Sequence, residues 1–390
     1  MKAIVNGRLI VPDARGTFRV LRNHALLYDR RIVRIVPAGE LDANNEEAPL
    51  ACIDARGAYV SPGFVNVHLH GAAGHDVMDD DADAVPAIAR HQATTGVTAM
   101  LPTTMTYDFA TIGRALEHIR AAMKKKTGGA SVLGAHMEGP FISVSRCGAQ
   151  DAKHIVPPDF ALIEPFLDVL RRITVAPETI RAGDGFLAAC KRHGISVSMG
   201  HSDADYETAR RAILEGGVRH VTHLFNGMAP FHHRTPGLAG AALDTSADCE
   251  LIADNIHVHP MAQRLLWNAK RGRHIVLVTD SMRAAGLGDG VSELGGQRVH
   301  VRDGAATLDD GTLAGSVLTM DRAVANLAAN TGANMAAVVS CATKTPARGL
   351  GLYGELGSLT PGKRADIVLF DDDVRIGKTI IGGEIVYERA

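Results

Sequence analysis

The sequence lacks a cysteine framework, a dominant charge and a long apolar run, and each absence removes a class of protein. Five cysteines (Cys52, Cys147, Cys190, Cys249 and Cys341) are odd in number, widely spaced and without a Cys-x-x-Cys pair. This excludes a disulfide scaffold and a zinc ribbon, and leaves buried free thiols as the expectation. A formal net charge of −2 provides no basic field for gripping nucleic acid, so an acidic or phosphorylated ligand would need locally placed cations. The stretch from Met1 to Val11 is broken by Lys2, Asn6, Gly7 and Arg8, and no later run reaches membrane-spanning length. The expectation is therefore no nucleic-acid partner, no membrane, and the cytoplasm as the default compartment. Internal repeats and low-complexity tracts are also lacking.

What is there is the composition of an ordinary soluble enzyme: 390 residues, 46% hydrophobic and 22% charged, enough for one large core and a smaller one. Short apolar runs bounded by turn residues predict strands at 64–70, 97–103, 132–138, 173–177, 195–201, 220–225, 250–254 and 274–280. Between them, amphipathic stretches predict helices over Asp83–Thr95, Asp108–Lys125, Pro158–Arg172, Glu178–His193, Asp205–Glu215 and Pro260–Arg271. Alternation of this kind implies parallel strands joined by helical crossovers, and eight such units predict an α/β fold of the (β/α)8 TIM-barrel type, with its chemistry at the C-terminal strand ends. Outside that block, Lys2–Val11, Leu26–Val36, Ala58–Val60, Ala365–Phe370 and Ile380–Tyr387 read as further strands. Residues 1–60 and 355–390 are expected to pair into one small β-sandwich domain beside a catalytic barrel at 61–354, since neither terminal piece could close a core alone. A hairpin is expected within Gln297–Val317.

The ends of the predicted strands carry a set of metal-ligand residue types. Phe64-Val65-Asn66-Val67-His68-Leu69-His70 places two imidazoles two residues apart, hence on one face of a strand. A His-x-His is weak evidence by itself, because such pairs are more often incidental. Glu138 on the third strand, His201 on the fifth, His223 on the sixth and Asp280 on the eighth complete the pattern. Individually, His201 and His223 could be core or capping residues, and Glu138 before Gly139-Pro140 a solvated turn residue. Jointly, imidazole and carboxylate suit a borderline divalent ion such as zinc.

In combination, the motifs HLHG (68–71), LPTT (101–104), EGPFI (138–142), GHS (200–202), THLFNGM (222–228), HHRTPGLAG (232–240), LIADNIHVHP (251–260), VTDSM (278–282), LAGS (313–316) and LTPGKRADIVL (359–369) resemble the amidohydrolase superfamily. The resemblance is specifically to the N-acetylglucosamine-6-phosphate deacetylases, and it covers nearly the whole chain. It implies that Glu138, His201 and His223 bind one metal and that His68 and His70 bind a second, with the carboxylate able to bridge. Zinc is the first expectation, one or two ions per subunit, with iron or manganese as alternatives. It further implies Asp280 as general base and acid, and substrate contacts from Asn226, the backbone N–H of Gly227, Arg234 and His257. Arg234 would reach the active site of a neighbouring subunit in a homodimer. The implied ligand is a small amino sugar phosphate.

Two positions bear on the type of enzyme. Many binuclear amidohydrolases carry a carbamylated lysine on strand four, and Ile173–Glu178 offers none, which disfavours dihydroorotase-like chemistry. Where the family has a histidine twelve residues after the glutamate, implied to contact the substrate near its carbonyl, this chain has Gln150, which is expected as the substrate contact there and can donate a hydrogen bond but cannot carry positive charge. The expected activity is deacetylation of N-acetylglucosamine 6-phosphate. The alternatives are the galactosamine epimer, another N-acyl compound, and a non-catalytic scaffold. His136 is expected to orient a ligand from behind, and His232, His233 and His75 are equally well read as loop residues.

Overall fold

The computed structural model describes residues 1–41, 51–181 and 183–389. Apart from the two-residue strand Ser131–Val132, which pairs in parallel with 97–104, the central sheet consists of eight parallel strands: β1 (Phe64–Leu69), β2 (Val97–Thr104), β3 (Ala135–Glu138), β4 (Leu170–Val175), β5 (Ser196–Met199), β6 (His220–Val221), β7 (Asp248–Ile252) and β8 (Ile275–Val278). Each pairs with the next in parallel register, with Glu138 opposite Thr174, Val175 opposite Met199 and Ile252 opposite Val278. The seam between β8 and β1 is joined by backbone bonds just beyond the strand ends. Asp280 N–H donates to the His68 carbonyl at 3.0 Å, and His70 N–H donates to that of Ser281 at 2.8 Å. The result is the predicted TIM-type barrel.

The apolar runs that predict these strands are buried along their whole length in β1, β2, β3 and β8, as expected of parallel strands covered on both faces. Helices Ala84–Thr94, Phe109–Met123, Tyr206–Leu214 and Pro260–Lys270 fall where expected. Two helices are shorter than their patterns. The 158–172 segment yields only the turn Phe160–Ile163 and a 3₁₀ turn at Glu164–Phe166, because Pro165 lacks the N–H needed to extend the ladder. Consequently β4 starts at Leu170, and Arg172 lies in a strand. The 178–193 segment is helical only over Phe186–Arg192, since Gly183 and Gly185 adopt φ of 84° and 74° just before it; residue 182 of that segment lies outside the described residues.

Strands from both termini interleave. One antiparallel and parallel sheet runs Glu384–Glu388, Ile376–Ile381, Ile367–Phe370, Tyr59–Pro62, Arg8–Pro12, Phe18–Leu21 in spatial order. A second sheet runs Ile32–Pro37, His24–Tyr28, Lys2–Val5, Ala51–Asp54. Ile4, Leu9, Leu26, Tyr28, Val60, Ile367 and Ile380 form their shared core, so N-terminal and C-terminal segments bury each other's apolar faces. The hairpin expected at 297–317 is a three-stranded sheet, Gly290–Leu294, Gln297–Arg302 and Ala305–Thr307. Its first strand is mostly exposed, which explains why no apolar pattern marked it.

Candidate metal centre

The residues predicted at the strand ends converge at the C-terminal mouth of the barrel. His68 is the penultimate residue of β1, Glu138 ends β3, and His70, His201, His223 and Asp280 sit one or two residues beyond their strands. The Nε2 atoms of His68 and His70 lie 3.3 Å apart, and those of His201 and His223 3.1 Å apart. Glu138 stands between the pairs. Its Oε1 is 3.1 Å from His223 Nε2, 3.4 Å from His201 and 3.5 Å from His68, while Oε2 is 3.3 Å from His70. Asp280 Oδ1 lies 3.2 Å from His70 Nε2 and 3.5 Å from His68 Nε2.

Local backbone geometry turns these side chains inward. His201, His223 and Asp280 have φ of 48°, 30° and 49°, a left-handed conformation that non-glycine residues rarely hold without surrounding structure to enforce it. Each abrupt turn at a strand end redirects the side chain across the mouth rather than along the sheet face.

The opposite ring nitrogens decide what the centre can hold. His70 Nδ1 faces the Thr103 carbonyl at 3.1 Å, His201 Nδ1 that of Arg146 at 2.8 Å, and His223 Nδ1 that of Asn226 at 3.1 Å. His68 Nδ1 faces the Glu250 carboxylate at 2.9 Å. Carbonyl and carboxylate oxygens only accept, so all four Nδ1 atoms carry the proton and, in the neutral rings, Nε2 presents a lone pair. Lone pairs facing lone pairs and carboxylates at 3.1–3.5 Å repel unless positive charge lies among them. Burial disfavours protonation of His68, but Glu138, Asp280 and Glu250 outweigh it and hold its pKa well above the usual range. Burial likewise opposes charge on His70, yet hydrogen bonds to Asp280 and Glu138 raise it to about 9. Burial pushes Asp280 upward, and His68 and His70 bring it down to about 2. The cluster therefore draws in positive charge, as protons or as a cation. Neutral imidazoles with a shared carboxylate are the donor set of a divalent transition ion, so the residues fit the metal their pattern implies.

A cavity of about 220 Å³ opens onto this centre, lined by His70, Glu138, Gln150, His201, His223, Asn226, Gly227, His257 and Asp280. Met105, Gly148, Ala149, Leu294, Thr312, Leu313 and Gly315 complete its rim, the last four from the three-stranded sheet and the loop after it. His257 Nδ1 is 2.6 Å from Asp254 Oδ2; burial opposes its charge, and Asp254 raises its pKa above the ordinary value. Gln150 lines the cavity but is already engaged: Nε2 donates to Glu138 Oε2 at 2.8 Å and Oε1 accepts from Thr106 N–H at 2.7 Å. Arg234 is exposed in its loop, with Nη1 2.8 Å from His233 Nε2, and does not line the cavity of its own chain. His232 and His233 are exposed with it.

His136 is buried behind the centre, its ring 4.7 Å from that of His68 and edge-on, while Nε2 bonds Thr174 Oγ1 at 2.7 Å. It braces His68 by packing and makes no bond to Glu138. Sequence reasoning missed Glu250 and Arg172, which form a fully buried ion pair at 2.6 Å behind His68, and Asp254 behind His257. Breaking a buried pair of this kind costs about 3–5 kcal/mol. A carboxylate inside an apolar strand was the available signal for Glu250.

Gly227 is fixed by contact as well as conformation. At φ 58°, a Cβ there would stand 2.9 Å from His201 Nδ1 and 3.3 Å from His223 Cε1. Gly227→Ala is therefore expected to displace both rings and weaken metal binding about tenfold or more, read by competition with a chelator.

The chain belongs to the amidohydrolase family, whose model matches residues 59–386. Within that class, it is 39% identical over 334 residues to N-acetylglucosamine-6-phosphate deacetylase of Bacillus subtilis (strain 168), covering 84% of each chain. It is 38% identical over 348 residues to N-acetylgalactosamine-6-phosphate deacetylase of Escherichia coli O157:H7, covering 87% of this chain and 91% of that one. The crystal structure of N-acetylglucosamine-6-phosphate deacetylase from Pasteurella multocida superposes with a TM-score of 0.91 at 29% identity, over 100% of both chains.

Proposed function

We propose that this chain is a metal-dependent hydrolase that removes the acetyl group from N-acetylglucosamine 6-phosphate, giving glucosamine 6-phosphate and acetate. The observation that carries this reading is the convergence of four imidazole Nε2 atoms on Glu138, beside a cavity whose wall holds Asp280, its pKa brought down to about 2 by His68 and His70. An amide is a poor electrophile with a poor leaving group, so hydrolysis needs an activated water, a stabilised oxyanion and a proton for the amine. Glu138, His201 and His223 would hold one divalent ion, and His68 and His70 a second, and ions so held would supply Lewis acidity and lower the pKa of a water to about 7. Zinc suits this donor set, with iron or manganese as the alternatives.

The chain's own residues then do the rest. Asp280 accepts a proton from the attacking water as its oxygen bonds the acetyl carbon, and delivers that proton to the nitrogen as the C–N bond breaks. Asn226, the Gly227 N–H and His257, held by Asp254, contact the sugar phosphate. Gln150 fixes Glu138 and leaves one amide N–H for the substrate. Arg234, remote from its own cavity, acts on the partner's site in a homodimer. Guanidinium forms a two-point fork with phosphate. Arg234→Ala should raise KM for the phosphorylated sugar about 10- to 100-fold and leave the unphosphorylated sugar unaffected, measured by steady-state kinetics. The division into a terminal β domain (1–60 with 355–390) and a catalytic barrel (61–354) belongs to this reading. So does a cytoplasmic location, which the five unpaired cysteines favour. Among the described residues no helix is long and apolar enough to cross a membrane.

A second reading, deacetylation of the galactosamine epimer, is favoured by the 38% identity to the Escherichia coli relative of that name. Acetate release from both phosphorylated epimers and from unphosphorylated N-acetylglucosamine decides between them. Turnover of none, by metal-loaded protein, would overturn both.

A further inference from the structure

Three of the four converging histidines are oriented by backbone carbonyls, those of Thr103, Arg146 and Asn226, which the fold itself fixes. His68 alone leans on a side chain. Its Nδ1 lies 2.9 Å from Glu250 Oε2, and Glu250 Oε1 accepts from Arg172 Nη1 at 2.6 Å. Arg172 sits on β4 and Glu250 on β7, strands that are not neighbours in the sheet, so the pair spans the barrel interior. Both side chains are at most 1% exposed. Arg172 Nη2 also lies 3.4 Å from His220 Nδ1, and Glu250 Oε2 takes a longer 3.3 Å contact from the His223 N–H.

Resting on the two-ion reading above, we infer that Arg172 and Glu250 are positioning residues for the His68–His70 half of the centre. Arg172 locks the Glu250 carboxylate through a charge-assisted bond. Glu250 then holds the proton on His68 Nδ1, leaving the Nε2 lone pair aimed at the space between Glu138 and Asp280. The His201–His223 half, oriented by carbonyls, does not depend on the pair in this way. Neither residue touches the cavity.

Removing Glu250 alone would leave a buried guanidinium without its counter-charge, so the test uses two paired variants that delete both charges. In R172M/E250L the acceptor for Nδ1–H is gone; in R172M/E250Q an amide oxygen still accepts it. Metal titration against a competing chelator, with His68→Ala and His201→Ala as references, assigns each binding event to its half. The leucine variant should weaken the His68-dependent event about 10- to 100-fold and the His201-dependent event far less, and the glutamine variant should restore most of the loss. Long-range ¹⁵N spectra of histidine-labelled protein read the tautomer directly. His68 should carry its proton on Nδ1 in the parent and in the glutamine variant, and lose it from Nδ1 in the leucine variant. A folded leucine variant that keeps the Nδ1–H tautomer, or weakens both events equally, overturns the inference. Should His68→Ala leave metal binding untouched, the two-ion reading fails, and the tautomer spectra still decide the role of Glu250.

Discussion

Asp280→Asn is expected to lower kcat on the phosphorylated substrate about 10²- to 10⁴-fold, the range general acid–base groups supply. Asparagine is nearly isosteric, so it keeps the shape of the turn after β8, but its amide has no free carboxylate to take and return a proton. Asp280 is held ionised, with His68 and His70 overcoming its burial to bring it down to about 2, and it stands 3.2 Å from His70 Nε2 on the cavity wall. Steady-state kinetics together with metal analysis separate the two ways activity could fall. A loss below tenfold in a metal-replete variant would remove Asp280 from the proton path. A matching loss of metal would assign it instead to ion binding.

Removing bound metal with a chelator should reduce turnover by about 10³-fold or more, reversibly on adding a divalent ion, since Lewis-acid assistance amounts to several kcal/mol. The same ligand removal has a stability readout that does not depend on catalysis. An ion that binds only the folded chain stabilises it by about 4 kcal/mol at 1,000 times its Kd. The melting temperature should therefore climb with added zinc, iron or manganese, most steeply for the native ion. The sign follows from the cluster: four inward Nε2 atoms and two carboxylates, all buried, are mutually repulsive as neutral rings and anions until a cation joins them. Full activity after complete chelation, with an unchanged melting curve, would contradict the metal-dependent reading.

The ligand positions were legible because they lie at the ends of apolar runs, where a histidine or carboxylate interrupts an otherwise buried strand. His68, Glu138, His201, His223 and Asp280 all meet in one place, although they are separated by up to 212 positions in the chain. What stayed hidden depended on strand limits shifted by two or three residues. Drawn at 250–254, β7 begins with Glu250 and puts it at the far end of the barrel from the site; the actual strand starts at Asp248 and carries Glu250 into the interior. Read as the last residue of a helix, Arg172 looks like a surface cation, whereas Pro165 ends the helical turn early and β4 takes Arg172 inside. The polar residues behind a ligand have no period of their own, so only the fold brings them together. Arg234 illustrates the opposite limit, since its sequence context named it but within one chain it does not line the cavity at the metal centre.

The seam of the barrel has a further meaning. Backbone bonds that join the last strand to the first run through His68, His70, Asp280 and Ser281, so three residues of the reaction centre are also rungs of the clasp. Most barrel enzymes can be imagined with their chemistry erased and their architecture intact, because scaffold and loops are separately encoded. Here the two share covalent neighbours. The clasp is made of main-chain groups that any non-proline residue supplies, so closing the ring sets where the side chains of His68, His70 and Asp280 begin, and replacing one of them would remove chemistry without opening the seam.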